Sequence, residues 1–329
     1  MLTGVSRFSR TNIFSGINNL NDITFDDRYA SICGFTQEEI RDDLWQGVES
    51  LGTLNGWTTE KTLGKLKEEY DGYHFSERCP DIYNPFSLLL ALEKNKIKPY
   101  WIETVTPTFL VEKLKSSSLS FARIFNDNVP QDKLSEADTA FTSPVSLLFQ
   151  MGYLTIKGYD ALSERYSLGV PNKEVEESLF PYLLSNFSGQ DRLAASDWTK
   201  EVSGFLCQGD LEKFLIHLKS FIGSIPYDIM GAINEKYFQH LMFLVFRTAG
   251  LDVEAEKKTS FGRSDLIVKT KDYIYIFELK LDSSPQEAIK QIEEMEYRLP
   301  YLNDNRKVLE IGINFSSGKR NIDDWIVKE

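Results

Sequence analysis

The clearest hydrophobic pattern lies between Arg263 and Lys280, where continuous apolar runs are bounded by polar and charged residues. Two runs rich in Ile, Val, Tyr and Phe flank a polar break at Thr270-Lys271-Asp272. Runs of β-branched and aromatic residues predict strands, and the break predicts a hairpin turn. Successive side chains of a strand point to opposite faces. Ile274, Ile276, Glu278 and Lys280 therefore share one face of the second strand, and Tyr273, Tyr275, Phe277 and Leu279 the other. On the first strand Asp265 lies with Ile267, opposite in facing to Leu266 and Val268. If Thr270 pairs with Tyr273 across a two-residue turn, Asp265 falls opposite Glu278. Like charges facing at roughly 5 Å between Cβ atoms are destabilising. A divalent cation between them removes the conflict, and Mg²⁺ favours one or two carboxylates with water and phosphate oxygens. Lys-Asp is not a favoured hairpin dipeptide, and a three-residue loop would break this alignment.

Other patterns fill in the chain. Residues 35–70 read as helical, with Thr36 as an N-cap before a run of acids and Thr59–Tyr70 as a second helix. Tyr70–Phe75 and Ile82–Ser87 combine aromatics with Gly and Pro, which predicts a tight hairpin or loop feeding a helix Pro85–Glu93. Between residues 130 and 187 comes a helix Pro144–Met151, a strand Tyr153–Ile156, a turn Gly158–Ser163, a strand Arg165–Leu168 and a helix from Pro171-Asn172 to Asn186. That order predicts a winged helix. Ser143–Gly152, in the place of a recognition helix, is nearly all apolar and lacks side chains to read base edges. A protein contact or a regulatory role is expected of it. Helices Asp197–Cys207 and Asp210–Phe221 break at Gly209, and Pro226 marks a boundary. The last stretch predicts a helix Glu235–Thr248, a strand Asp252–Lys258, the hairpin, a helix and a closing strand Lys307–Phe315. Ser284-Pro285-Gln286-Glu287 is a capping box with proline at the first helical position. The helix it opens buries Ala288, Ile292, Met295 and Leu299, with Gln291 beside that stripe.

Length and charge sharpen this. A chain of 329 residues suggests two or three domains. Net charge is −12; Gly231 to Glu329 holds 15 Lys and Arg against 17 Asp and Glu, so −10 belongs to residues 1–230. A broad nucleic-acid footprint is usually basic, so any such contact must be local or depend on metal. Cys33, Cys79 and Cys207 are far apart, which argues against a disulfide framework or a zinc site. His74, His217 and His240 are isolated, so histidine catalysis is not expected. No apolar run reaches the length of a membrane span, and no signal segment opens the chain. A soluble cytoplasmic protein with no membrane partner is expected.

Asp265 followed by Glu278-Leu279-Lys280 resembles the Asp…Glu-x-Lys signature of the PD-(D/E)XK nuclease superfamily. More narrowly, Gly262-Arg263-Ser264-Asp265, Ile276–Lys280 and Ala288–Ile292 with Tyr297 resemble the nuclease domain that closes a family of bacterial AAA-ATPase-like proteins. Leu2–Ser9 and Ile13–Thr24 are similar to the sensor-1 region of that family, and Tyr70–Phe75, Ile82–Ser87 and Tyr100–Leu110 continue the likeness, with Val105 where the family has Gly. The chain contains no G-x-x-x-x-G-K-[ST], so ATP hydrolysis by this chain alone is not expected. Thr3 and Arg7 are then orphaned nucleotide-sensing positions or simply a strand end and a surface arginine. The resemblance implies a mixed α+β chain: an AAA-ATPase-like remnant over 1–125, a winged-helix-like and helical region over 126–228, and a restriction-endonuclease-like α/β domain over 229–329.

The resemblance also implies roles. Asp265 and Glu278 would hold Mg²⁺ or Mn²⁺. Lys280 would act on the attacking water as a base, which needs a lowered pKa, or stay charged and stabilise the phosphate in the transition state. Gln291 would contact the Lys280 end of the sheet or a phosphate, and Arg263 would bind a phosphate or cap the hairpin. Glu256 is a candidate third ligand. Glu235 is a weaker one, because an acid in a first helical turn is already favoured by the dipole. Tyr297 is expected to pack. The function expected is Mg²⁺-dependent hydrolysis of nucleic acid, with DNA as the foremost substrate. The alternatives are a non-enzymatic regulatory or interaction module that keeps the nuclease fold, and the second half of a split ATPase.

Overall fold

The apolar runs around Thr270 form the middle of a sheet in a computed structural model of the chain, which describes residues 21, 23–101, 108–117, 119–126, 128–135, 143–231, 233–258 and 262–329. Thr3, Arg7 and Val105 lie outside the described residues. The chain divides into two units. One takes in the described residues up to Ser117 with Ile124–Leu179; the other takes in Ser118–Arg123 with Phe180–Glu329. The helices expected before residue 229 thus belong partly to the unit that holds the hairpin, and the boundaries drawn at 125 and 228 do not coincide with this division.

In the first unit Thr36 is the expected N-cap, and it goes further by forming a capping box: Thr36 Oγ1 accepts from Glu39 N, and Glu39 Oε2 from Thr36 N. Helices Gln37–Asp43, Trp45–Asn55, Thr59–Tyr70 and Pro85–Lys94 enclose a core of Ile40, Leu51, Leu66, Tyr70 and Leu88. The two aromatic segments meet through isolated bridges, Tyr73 with Ile82 and Phe35 with Tyr83. A three-stranded antiparallel sheet follows, built from β1 (Asn128–Pro130), β2 (Thr155–Asp160) and β3 (Arg165–Gly169) in the order β1-β3-β2. The helix Pro144–Gln150, the two strands of the hairpin and the helix Lys173–Ser188 come in the expected sequence. β2 starts and ends later than its pattern suggests, because Asp160, not Gly158, opens the turn: its carboxylate accepts from Leu162 N and Ser163 Oγ. β1 was not foreseen, since three residues ending in a proline carry almost no periodicity.

The second unit has a five-stranded sheet, β4 (Asp252–Lys258), β5 (Arg263–Lys269), β6 (Tyr273–Leu281), β7 (Lys307–Ser316) and β8 (Asn321–Lys328), in that spatial order. β6 and β7 run parallel and every other neighbour is antiparallel. The parallel step needs a crossover, and the helix Pro285–Glu294 supplies it. That helix packs Ile289 and Ile292 on Ile267, Ile274 and Ile276, the face predicted by alternation. Gly312, beside Glu278 in the β6–β7 ladder, lets it come close: a Cβ there would meet Pro285 O at 2.5 Å. The other face carries Tyr273 stacked on Tyr275, with Phe277 tilted against Tyr275. Phe246 of the helix Glu235–Thr248 and Phe214 of the helix Leu211–Gly223 lie against Phe277 there, with ring centroids 5.2 and 6.3 Å away. Tyr275 Oη donates to Leu206 O at 2.5 Å, at the end of the helix Arg192–Gln208.

Two expectations in this unit are corrected. The helix before Leu211 starts at Arg192, because Asp191 rather than Asp197 caps it through Leu193 N and Ala194 N. Leu299 is half exposed, not buried: the crossover helix stops at Glu294, Glu296 takes a positive φ, and Tyr297 fills the core in its place.

Candidate active site

The hairpin fixes the site. Thr270 N donates to Tyr273 O at 2.9 Å, and the ladder pairs Lys269 with Ile274, Val268 with Tyr275, Ile267 with Ile276 and Leu266 with Phe277. This is the register in which the next positions are Asp265 and Glu278. Backbone pairing gives way there to a side chain: Leu279 N donates to Asp265 Oδ2 at 2.8 Å.

Glu278 is 1% exposed. Its Oε1 accepts from Lys280 Nζ at 3.2 Å, and its Oε2 is buried with no hydrogen-bond partner. Lys280 Nζ also donates to Gln291 Oε1 at 2.6 Å, so the crossover helix and β6 meet at the lysine. Tyr297 packs as expected and also bonds: its Oη donates to Arg263 O at 2.7 Å and accepts from Gln291 Nε2 at 3.5 Å. Gln291 is thereby oriented with its carbonyl oxygen toward the cation.

Burial pushes both carboxyls above the usual carboxylate range. For Glu278 the next cause is the charge of Asp265, and for Asp265 a charge contribution comes from Glu235. A buried carboxylate resists ionisation, and a second one beside it resists more. The site therefore brings together more acid than its one lysine neutralises.

The remaining candidates are placed as follows. Glu256 has a positive φ, and its carboxylate accepts from Arg263 Nη1 at 3.3 Å, so Glu256 and Arg263 hold each other. Glu235 lies near enough to Asp265 to raise its pKa. Among the described residues no three His, Cys, Asp or Glu side chains are grouped to hold a metal ion. One contact was not foreseen. Gln239 Nε2 donates to Asp265 Oδ1 at 2.7 Å. The signal available in the sequence was its place one helical turn after Glu235, before the apolar run Leu241–Phe246.

Two carboxylates, one of them with a buried oxygen that has no hydrogen-bond partner, suit a hard divalent cation. On that chemistry the residues present fit such an ion.

Residues 233–325 match the family described as the PD-(D/E)XK nuclease superfamily, and form a domain of that superfamily. The mixed sheet fits that nuclease fold. The chain is 32% identical over 337 residues to the uncharacterized protein in the vnfD 5' region of Azotobacter chroococcum mcd 1, a stretch that takes in 100% of this chain and 63% of that protein. The chain thus spans less than two thirds of that relative's length. No solved structure matches it. Among the described residues no helix is long and apolar enough to cross a membrane.

Proposed function

We propose that the second unit hydrolyses phosphodiesters of nucleic acid, DNA foremost, at Asp265, Glu278 and Lys280 with Mg²⁺ or Mn²⁺. The observation that carries this is the buried, unpartnered Glu278 Oε2 beside a second raised carboxyl in a PD-(D/E)XK domain. Asp265 and Glu278 would hold the cation, which when bound would offset their charge and polarise a phosphate oxygen. Lys280 Nζ donates to both Glu278 and Gln291, which holds the ammonium in one place. It therefore serves as a fixed positive charge toward the phosphate as negative charge builds up there. Gln291 keeps the ammonium aimed at that place. Arg263, half exposed and tied to Glu256, is available to a substrate phosphate at the rim. Glu256 and Glu235 remain candidates for further metal contacts. The first unit, with its hairpin and apolar helix Pro144–Gln150, reads as a winged-helix-like protein-contact region on an AAA-ATPase-like remnant that lacks a phosphate loop.

The test is a cleavage assay on plasmid, single-stranded DNA and RNA with and without Mn²⁺. Cleavage should require the ion and be lost in Asp265→Ala and Lys280→Ala, typically by 10²-fold or more for a group acting on developing charge. Metal-independent cleavage, or none on any of the three substrates, would favour a non-enzymatic module that keeps the fold.

A further inference from the structure

The two carboxylates are held in different ways. Both hydrogen bonds to Asp265 come from neutral groups, the Leu279 amide at Oδ2 and the Gln239 side chain at Oδ1. Glu278 Oε1 is held by the Lys280 ammonium, and the Asp265 backbone amide adds a lesser interaction with the Glu278 carboxylate. A carboxylate anchored by neutral donors keeps its whole charge for a further partner, whereas a lysine or arginine in the same place would cancel it. Gln239 is also the only donor to Asp265 that a side chain provides among the hydrogen bonds described for that residue. It reaches Asp265 from a separate element, the helix Glu235–Thr248, across 26 positions of sequence.

We propose that Gln239 is a positioning residue of the cation site: its amide fixes the Asp265 carboxylate in place without neutralising it, leaving the free oxygen of Glu278 as the adjustable member of the pair. The proposal rests on the nuclease reading above. Partners that orient a ligand typically account for 10–100-fold in metal affinity, and Gln239 is assigned that part.

The experiment is Mn²⁺ binding to the full chain, followed by the resonance of free Mn²⁺, for wild type and for Gln239→Leu, Gln239→Asn and Gln239→Lys. Gln239→Leu removes the donor and Gln239→Asn shortens its reach, so both should bind Mn²⁺ about 10–100-fold more weakly. Gln239→Lys restores a donor but adds a charge. It should keep the metal-free melting temperature and still bind weakly. In cleavage, the Mn²⁺ concentration for half-maximal rate should rise while the rate at saturating Mn²⁺ stays within a few-fold. Should Gln239→Leu not fold, Gln239→Asn and Gln239→Lys decide. Wild-type affinity in the folded variants would overturn the inference and leave the nuclease reading standing. Full affinity in Gln239→Lys alone would also overturn it, since a merely structural donor can be replaced by a cation. No Mn²⁺ binding by wild type would overturn both.

Discussion

Glu278 carries the tension of the site at the scale of a single residue. Its carboxyl is buried, its Oε2 finds no partner and Asp265 stands beside it, so its pKa is pushed up, burial being the main cause. A folded-state value above the ordinary one means that the protonated form favours the fold. That contribution is complete below the ordinary carboxylate range and is lost as pH rises through the raised value. Without metal, wild type should therefore weaken between about pH 5 and pH 9, and Glu278→Gln, which keeps the shape and drops the charge, should overtake it by about 1–3 kcal/mol at the upper end. Urea unfolding in a metal chelator measures this. A variant no more stable than wild type at high pH would mean that the carboxyl is not strained.

At the scale of elements, the helix Glu235–Thr248 links the site to the core. Three residues past Tyr237 it places His240 in an aromatic box, stacked on Phe121 at 4.2 Å and edge-on to Phe187. Burial, helped by Lys236, lowers His240 to about 4. The sign is opposite to that of Glu278. The ring stays neutral in the fold, so its contribution is whole above its ordinary value of 6.5 and is lost as pH falls toward about 4. At 1.36 kcal/mol per pH unit of displacement this amounts to about 3 kcal/mol. Urea unfolding should show wild type losing stability on acidification more steeply than His240→Leu, in which Asp265 and Glu278 still titrate; parallel curves would contradict the assignment. The sheet carrying the site was legible because alternation sets both faces and register: Ile274, Ile276, Glu278 and Lys280 needed only period two. β8 was not, because Asp323 and Asp324 interrupt its alternation and it lies at an edge with a bulge opposite Asn314 and Phe315. Leu299 misled because helical periodicity was carried past the turn at Glu296. Gln239 escaped because its place one helical turn after Glu235 does not name its partner, which lies on another element 26 positions away.

At the scale of the whole molecule, the nuclease domain does not end where its family likeness does. Tyr275 and Phe277 are covered by residues from the helices Arg192–Gln208 and Leu211–Gly223, outside residues 233–325. Each such aromatic side chain contributes about 1.5–3 kcal/mol when buried. A fragment of residues 229–329 should thus expose the aromatic face and melt without cooperativity, while residues 180–329 should give a cooperative transition by circular dichroism. A cooperative melt of the shorter fragment would show that the two helices are dispensable. Asp265 and Glu278 are proposed to share one cation, and thermal unfolding of the full chain in Mg²⁺ or Mn²⁺ is the decisive measurement. An ion that binds only the assembled site stabilises it by mass action, about 2.7 kcal/mol at a hundredfold excess over Kd. The melting temperature of wild type should rise with millimolar ion and that of Asp265→Asn should not; a wild-type melt that neither ion moves would contradict the account.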